Sequence, residues 1–419
     1  MRLVAGGGRI ESEIAKGFHA DCGLPRTCPK DGDGLLGEFD ERSRGESLNP
    51  NALRSSTGAE TNTLAGRRPS GPAPLRFGRS SPLGIAALSL LAAAFALSTT
   101  ARASDTGDKR IALSNNYAGN SWRQAMLQSW AKVGTQAVAD KTVSAADAFT
   151  TADKEAPTQA AQIQNLILQG YNAIVIDSGS PEALNGAVKK ACDAGVTVVS
   201  FDGIVTEPCA WRITVDLQNE YGAEEVRQIA KRLPKGGSLL QIRGLAGTSI
   251  DEDINKGMLA ELKKHPNLKI VNSVYGNWDE TTAQKAVATV LPSLPEIAAV
   301  LDEGGDGYGA AQAFRAAGRK TPLIMLGNRQ DELQWWKEQR LANHYDTWSG
   351  SEAPGMCTYA FWVAQQILSG KKVPHDLLMK ILVIDPAKLD EIVKSTPVGG
   401  VANAEYTQAE VIKAIDGTR

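Results

Sequence analysis

The sequence predicts an α/β protein whose folding part, from about Ser104 to the C-terminus, is two similar lobes in tandem, each with a parallel sheet. From Arg110 onward short β-branched runs alternate with helical patterns, the arrangement of parallel strands covered by helices. The alternation runs through one set of elements and begins again near residue 238. At 419 residues the chain is long enough for two cores, because a single core stops growing at roughly 250–300 residues.

In chain order, IALS at 111–114, AIVID at 173–177 and VTVVSFD at 196–202 read as the clearest early strands. Between them Trp122, Met126, Trp130, Val133 and Ala137 recur at helical spacing. Leu184, Ala187, Val188 and Ala191 do the same, and Ser180-Pro181-Glu182 is expected to cap their helix. The second set has SLLQI at 238–242, KIVNSVY at 269–275, AAVLD at 298–302 and PLIMLG at 322–327. Asp279 is expected to open a helix with an apolar face of Ala283, Ala286, Val287 and Val290, and Gly318 to end another after Phe314 to Ala317. Trp335-Trp336 is placed on a helix away from the cleft, with one face in the core. Ligands of open α/β sheets sit at the carboxyl ends of the strands, so the residues following each strand are the candidates.

Residues 1–82 are crowded with Gly, Ser, Pro and Arg, show no period of helix or strand, and are expected to be a leader without a fold. Residues 83–103 read as the core and cleavage region of an export signal. IAALSLLAAAFAL is a run of about 13 apolar residues, the length of a signal-peptide core rather than of a bilayer span. Arg76 and Arg79 precede it and Ala101-Arg102-Ala103 follows, so cleavage is expected near Ala103/Ser104. No Met lies between Met1 and Met126, and translation is expected to begin near Leu75. The exported chain then keeps Cys192, Cys209 and Cys357. In an oxidising compartment Cys192 and Cys209 are a possible disulfide, with Cys357 left as a buried thiol. There is no CxxC pair and there are only four His, so no metal or other cofactor is expected. A net charge of −2 and no basic face argue against nucleic acid as a partner.

IALSNNYAGNSW, LQGYNAIVIDSGSPEALNGAVKKACDAGVTVVSFD, IRGLAGTS and GGDGYGAAQAFRAAG follow one another in an order that resembles the type I periplasmic binding proteins of carbohydrate ABC importers, the ribose-binding-protein-like family. The resemblance covers nearly all of residues 109–385 and implies the periplasmic binding protein-like I fold, with two Rossmann-like lobes joined by a three-segment hinge and closing on a ligand. It implies an N-terminal lobe of residues 104–217 plus 350–381. The C-terminal lobe is then 218–349 plus 382–419, with Asp390 to Arg419 a tail packed across the hinge. Crossovers are implied near Leu217 to Asn219, at Asn328, and at Trp348 to Ser349.

A neutral sugar offers apolar C–H faces and a ring of hydroxyls, so its site needs aromatic plates and planar donors or acceptors. After the first strand stand Asn116, Tyr117, Asn120, Trp122 and Arg123. The resemblance matches Asn120 and Trp122 to family site positions, and Trp122 reads equally as the first core residue of its helix. Arg123, where ribose binders often carry an aromatic, is suited to clamping a hydroxyl pair or an acidic group. Asp202 ends the VTVVSFD strand, and the resemblance makes it the acceptor for neighbouring sugar hydroxyls; capping the following turn is the structural reading. Asp177 is similarly placed, or holds the loop before Ser180. In the second lobe Trp278, Glu303, Asn328 and Trp348 complete the candidate set, with Tyr308 in reserve; the aromatic members read equally as core or hinge packing. By the same resemblance this chain has Gly203 and Ile254 where the family carries Arg, Gly305 where it carries Asn and Asn328 where it carries Asp, which points away from ribose. GGDGYG, beside Glu303 and Asp306, lacks the spacing of a dinucleotide or phosphate loop.

The expected function is therefore a monomeric periplasmic protein that captures a sugar or polyol and delivers it to an ABC permease. An alternative partner is a membrane sensor kinase or chemoreceptor. No Ser-His-Asp set, metal cluster or dinucleotide fingerprint supports an enzyme, and no helix-turn-helix supports a repressor.

Overall fold

The structure, a computed structural model, describes residues 105–152 and 155–417. The expected leader, export signal and cleavage position lie outside the described residues.

The first lobe is built from β1 (Arg110–Asn115), α1 (Ser121–Ala139), β2 (Ala145–Thr150), α2 (Ala156–Leu168), β3 (Ala173–Asp177), α3 (Asn185–Asp193), β4 (Thr197–Phe201) and β5 (Trp211–Val215). β3 is buried along its whole length and β1 everywhere but Arg110, as parallel strands covered on both faces must be. β2, AADAFT, has no fully buried residue and lies at the sheet edge beside β1. It carries no apolar run, which is why strand patterning does not find it. α1 opens at Asn120, whose side chain accepts from Arg123 N at 2.8 Å. Ser180 does not open α3 directly. It accepts from Ala183 N at 3.3 Å within a turn, and the helix begins at Asn185.

The second lobe comprises α4 (Ala223–Arg232), β6 (Gly237–Arg243), α5 (Ser249–Leu262), β7 (Leu268–Tyr275), α6 (Glu280–Val290), β8 (Ala299–Asp302), α7 (Gly307–Ala316), β9 (Leu323–Ile324) and α8 (Gln330–Asn343). Its parallel sheet runs β7-β6-β8-β9. Asp279 caps α6 by accepting from Thr282 N at 2.8 Å. Trp336 is fully buried and Trp335 nearly so, both in the core under this sheet.

Beyond α8 come β10 (Gly350–Ser351), α9 (Met356–Leu368), β11 (Asp376–Met379), β12 (Leu382–Val383), α10 (Leu389–Ser395) and α11 (Gln408–Gly417). β11 joins the first sheet, giving the order β11-β5-β4-β3-β1-β2, all parallel. α9 is apolar nearly all round and sits in the first-lobe core, where Phe361 meets Trp130 edge to face at 5.4 Å. β10 and β12 pair antiparallel as a short ribbon between the lobes.

Among the described residues the chain passes between the lobes four times. The first passage is a π-helical turn, Leu217–Gly222. The second and third flank the ribbon strands β10 and β12. Asn328 is not a passage, because β9 before it and α8 after it pack in the same second-lobe core. Instead it braces two passages: its Nδ2 donates to Leu382 O at 2.6 Å and its Oδ1 accepts from Ser349 Oγ at 2.7 Å. The fourth passage is the tail. α10 buries Leu389 and Val393 in the second lobe, whereas α11 buries Val411 and Ile415 against the first-lobe core. The tail expected to belong mainly to the second lobe and the hinge therefore ends in the first, because the apolar face of α11 is covered there. Cys192 and Cys209 form a disulfide, and Cys357 is a buried free thiol. Among the described residues no helix is long and apolar enough to cross a membrane.

Candidate ligand-binding site

The carboxyl ends of β4 and β8 face each other across a cleft lined by residues of both lobes, the place where ligands of open α/β sheets sit. On the first-lobe side the cap of α1 fixes Asn120, and the next turn presents Trp122 and Arg123. The Arg123 guanidinium is buried and forms ion pairs with Asp177 and, through Nη2 at 2.9 Å, with Asp202. Trp122 lies beside that guanidinium, 5.0 Å from ring centroid to Cζ, and its Nε1 donates to Glu352 O at 2.8 Å. Burial pulls the Arg123 pKa down, opposed by the charges of Asp202 and Glu352. Burial, followed by the charge and hydrogen bond of Asp202, pushes the Glu352 carboxyl well above the usual carboxylate range. The first-lobe wall is thus a compact array of planar acceptors and one cation, with an indole plate alongside.

On the second-lobe side Glu303 follows β8 and accepts from Gly244 N at 2.9 Å, with Arg243 Nε 3.2 Å away. Its pKa too is pushed well up, by burial first and the charge of Asp251 second. Trp278 donates from Nε1 to Glu303 O at 3.1 Å, and its ring lies so close to Gly244 that no side chain fits there. Arg329 reaches across the cleft. It donates to Trp278 O at 2.7 Å and to Ser121 Oγ of the first lobe, which ties the two lobes together. Its guanidinium occupies the space that any side chain on Gly305 would need, so the glycine there gives Arg329 its path. Behind it lie the buried carboxyls of Asp302, Asp306 and Glu332. Leu217, Tyr221, Ile250 and Ile254 line the hinge side, and Val401 comes in from the tail.

Of the residues singled out from sequence, Asn120, Trp122, Arg123, Asp202, Trp278 and Glu303 line the cleft. Asn116, Tyr117, Asp177, Asn328 and Trp348 are not among the lining residues. Asn116 is buried next to Gly179, and the Tyr117 ring packs on Gly119. Asp177 lies beneath Arg123 as its counter-ion. Trp348 packs edge-on against Tyr221, 5.9 Å between centroids, in the second-lobe core. Sequence reading missed Arg329, Glu352, Tyr221 and Val401. Arg329 and Glu352 stand one and three residues beyond candidate hinge positions, which was a usable signal; Val401 carries none.

Two α/β lobes with a polar, aromatic-lined cleft at the strand ends define a hinged solute-binding protein. The periplasmic binding protein domain family matches residues 111–372, and the chain belongs to that family, whose members are periplasmic and non-catalytic. It is similar to the xylitol-binding protein of Mycolicibacterium smegmatis, 28% identical over 189 residues, 44% of this chain and 54% of that protein. Similarity to the D-ribose/D-allose-binding protein of Pseudomonas aeruginosa is 29% over 224 residues, 51% of this chain and 68% of the relative. The chain thus spans about half to two thirds of the length of these curated relatives. An ABC transporter solute binding protein from Thermobispora bispora has a similar solved structure, with a TM-score of 0.70, 30% identity, and coverage of 74% of this chain and 96% of that one.

Proposed function

We propose that this protein captures a sugar or polyol in the periplasm and hands it to an ABC permease. The observation that carries this reading is the buried Arg123–Asp202–Glu352 array with Trp122 beside it, facing Trp278, Glu303 and Arg329 across the cleft. Carboxylates accept from neighbouring hydroxyls, the guanidinium donates to ring or hydroxyl oxygens, and an indole covers a C–H face. Closing two lobes over such a ligand removes water from these bonds, which strengthens them. The similarity to proteins named for xylitol and for D-ribose/D-allose supports the same solute class. Asn120, Trp122, Arg123, Asp202, Trp278 and Glu303 are the proposed contacts, with Asp177 holding Arg123 in place. Export with cleavage between Ala103 and Ser104 belongs to the same reading.

A thermal-shift screen of the chain from Ser104 onward against pentoses, hexoses, deoxy sugars, polyols and sugar acids tests it, because a ligand that binds only the folded form raises its melting point. A shift with at least one carbohydrate is expected. No shift with any of them, at millimolar concentration, sinks the assignment.

A further inference from the structure

Glu303 and Arg329 make the second-lobe face of the cleft polar, but the wall on the hinge side differs in chemistry from the faces that the two lobes present. Asn120, Arg123, Asp202 and Glu352 make the first-lobe side a dense array of hydrogen-bonding groups. Leu217, Ile250 and Ile254 also face the cavity, and they belong with Tyr221 to one continuous apolar cluster at the hinge side of the second lobe. Val401 adds another aliphatic group from the tail. A sugar hydroxyl turned toward Leu217, Ile250 and Ile254 would leave water and meet no side-chain donor or acceptor from those three residues. A methyl or methylene there would instead cover apolar surface.

One polar atom stands in that wall. The Tyr221 hydroxyl is buried with no hydrogen-bond partner among the described residues. It lies 2.9 Å from where a side chain on Gly304 would begin, so only glycine leaves room in front of it. The wall is thus equipped for a single oxygen beside Gly304 and for hydrocarbon elsewhere.

We infer that the ligand is a deoxy sugar, with its neighbouring hydroxyls on Asp202, Arg123 and Glu352 and its deoxygenated edge against Leu217, Ile250 and Ile254. This rests on the carbohydrate reading above and narrows it. Hydrophobic pockets discriminate against an added hydroxyl by about 10- to 100-fold, and that is the preference expected here.

Isothermal titration of the chain from Ser104 onward with matched pairs tests the inference: D-fucose with D-galactose, L-rhamnose with L-mannose, and 2-deoxy-D-ribose with D-ribose. In at least one pair the deoxy member should bind tighter by about tenfold or more. If sugars bind but every parent binds as tightly as its deoxy partner or tighter, the deoxy edge is wrong while the carbohydrate reading stands. If no sugar or polyol binds at all, the carbohydrate reading fails and this inference falls with it. Ile250→Thr places a hydroxyl in the wall and should cut the deoxy preference by about tenfold; an unchanged preference in a variant with a normal melting curve overturns the placement.

Discussion

At Asp202 the backbone takes a φ of +55°, a left-handed conformation that β-carbon sterics make rare outside glycine, asparagine and aspartate. Trp278, at +54°, and Asn328, at +69°, share it. All three stand at strand ends or next to the hinge, where local strain turns a side chain toward the cleft or a passage. Aspartate at 202 therefore serves two ends, tolerance of the turn and pairing with Arg123. Asp202→Asn keeps the first and removes the negative charge from the second. Losing a hydrogen bond to a charged group costs about 1.5–3 kcal/mol, so the Kd for the sugar found in the screen should rise by roughly 10- to 150-fold. Circular dichroism should be unchanged, and an unaltered Kd would remove Asp202 from the site.

Two elements carry predictions of their own. α3 and the loop before β5 are joined by the Cys192–Cys209 bridge, 17 residues apart in sequence. A closed loop of that size restricts the unfolded chain enough to stabilise the fold by about 3 kcal/mol. The double Ser variant, or reduction, should lower unfolding stability by that amount in urea titrations. The second element is the junction of the β8–α7 loop with the start of α8. There Glu332 accepts from Gly307 N, Gly327 N and Arg329 N, each at 3.0 Å. Burial raises the pKa of Asp302 to about 7, and burial with the charge of Asp302 raises that of Glu332 to about 8. In the unfolded chain both lie near 4. Between roughly pH 4 and 8 the folded state holds protons that the unfolded state has released, so stability falls as pH rises through that window. Glu261 and Asp376 have lowered pKa values, and their contributions change only below that range. The unliganded protein should melt higher at pH 5 than at pH 8, and Glu332→Gln should reduce the difference, the rest coming from Asp302, Glu303 and Glu352; a melting point that climbs toward pH 8 contradicts the assignment.

For the molecule as a whole, the fourth passage changes how the lobes are connected. From α10 in the second lobe the tail runs past the hinge, where Ala402 N donates to Asn328 O at 2.9 Å and Gln330 N to Gly400 O at 3.0 Å. It then docks on the first lobe. Asn403 accepts from Gly355 N at 2.6 Å and donates to Ser129 Oγ at 2.9 Å, while Glu405 pairs with Lys132 at 2.5 Å. Trp362 Nε1 donates to Tyr406 O at 3.1 Å. Opening the cleft therefore has to move or strain this strap as well as the other three passages. Asn403→Ala leaves Gly355 N without its acceptor, at a cost of about 1–3 kcal/mol. In stopped-flow experiments the ligand should leave faster than from the unaltered protein, and small-angle scattering of the unliganded variant should give a larger radius of gyration. Unchanged values of both would mean that the strap does not restrain the lobes.

The sequence by itself determined the alternation of strand and helix, the tandem of two lobes, and the strand-end positions of Asn120, Trp122, Arg123, Asp202, Trp278 and Glu303. These follow from patterns that repeat within a few residues: buried parallel strands are apolar throughout, amphipathic helices have a period of 3.6, and caps and turns use particular side chains. Edge strands such as β2 escaped because half-exposed strands have no apolar run to read. Only the tertiary structure decided that Asn328 braces the hinge without crossing it, that Arg329 spans the cleft to Ser121, that Glu352 joins Asp202, and that Val401 reaches the cavity. Each of these depends on where segments distant in sequence come to rest against one another once both lobes have formed, and no local period or propensity encodes that placement.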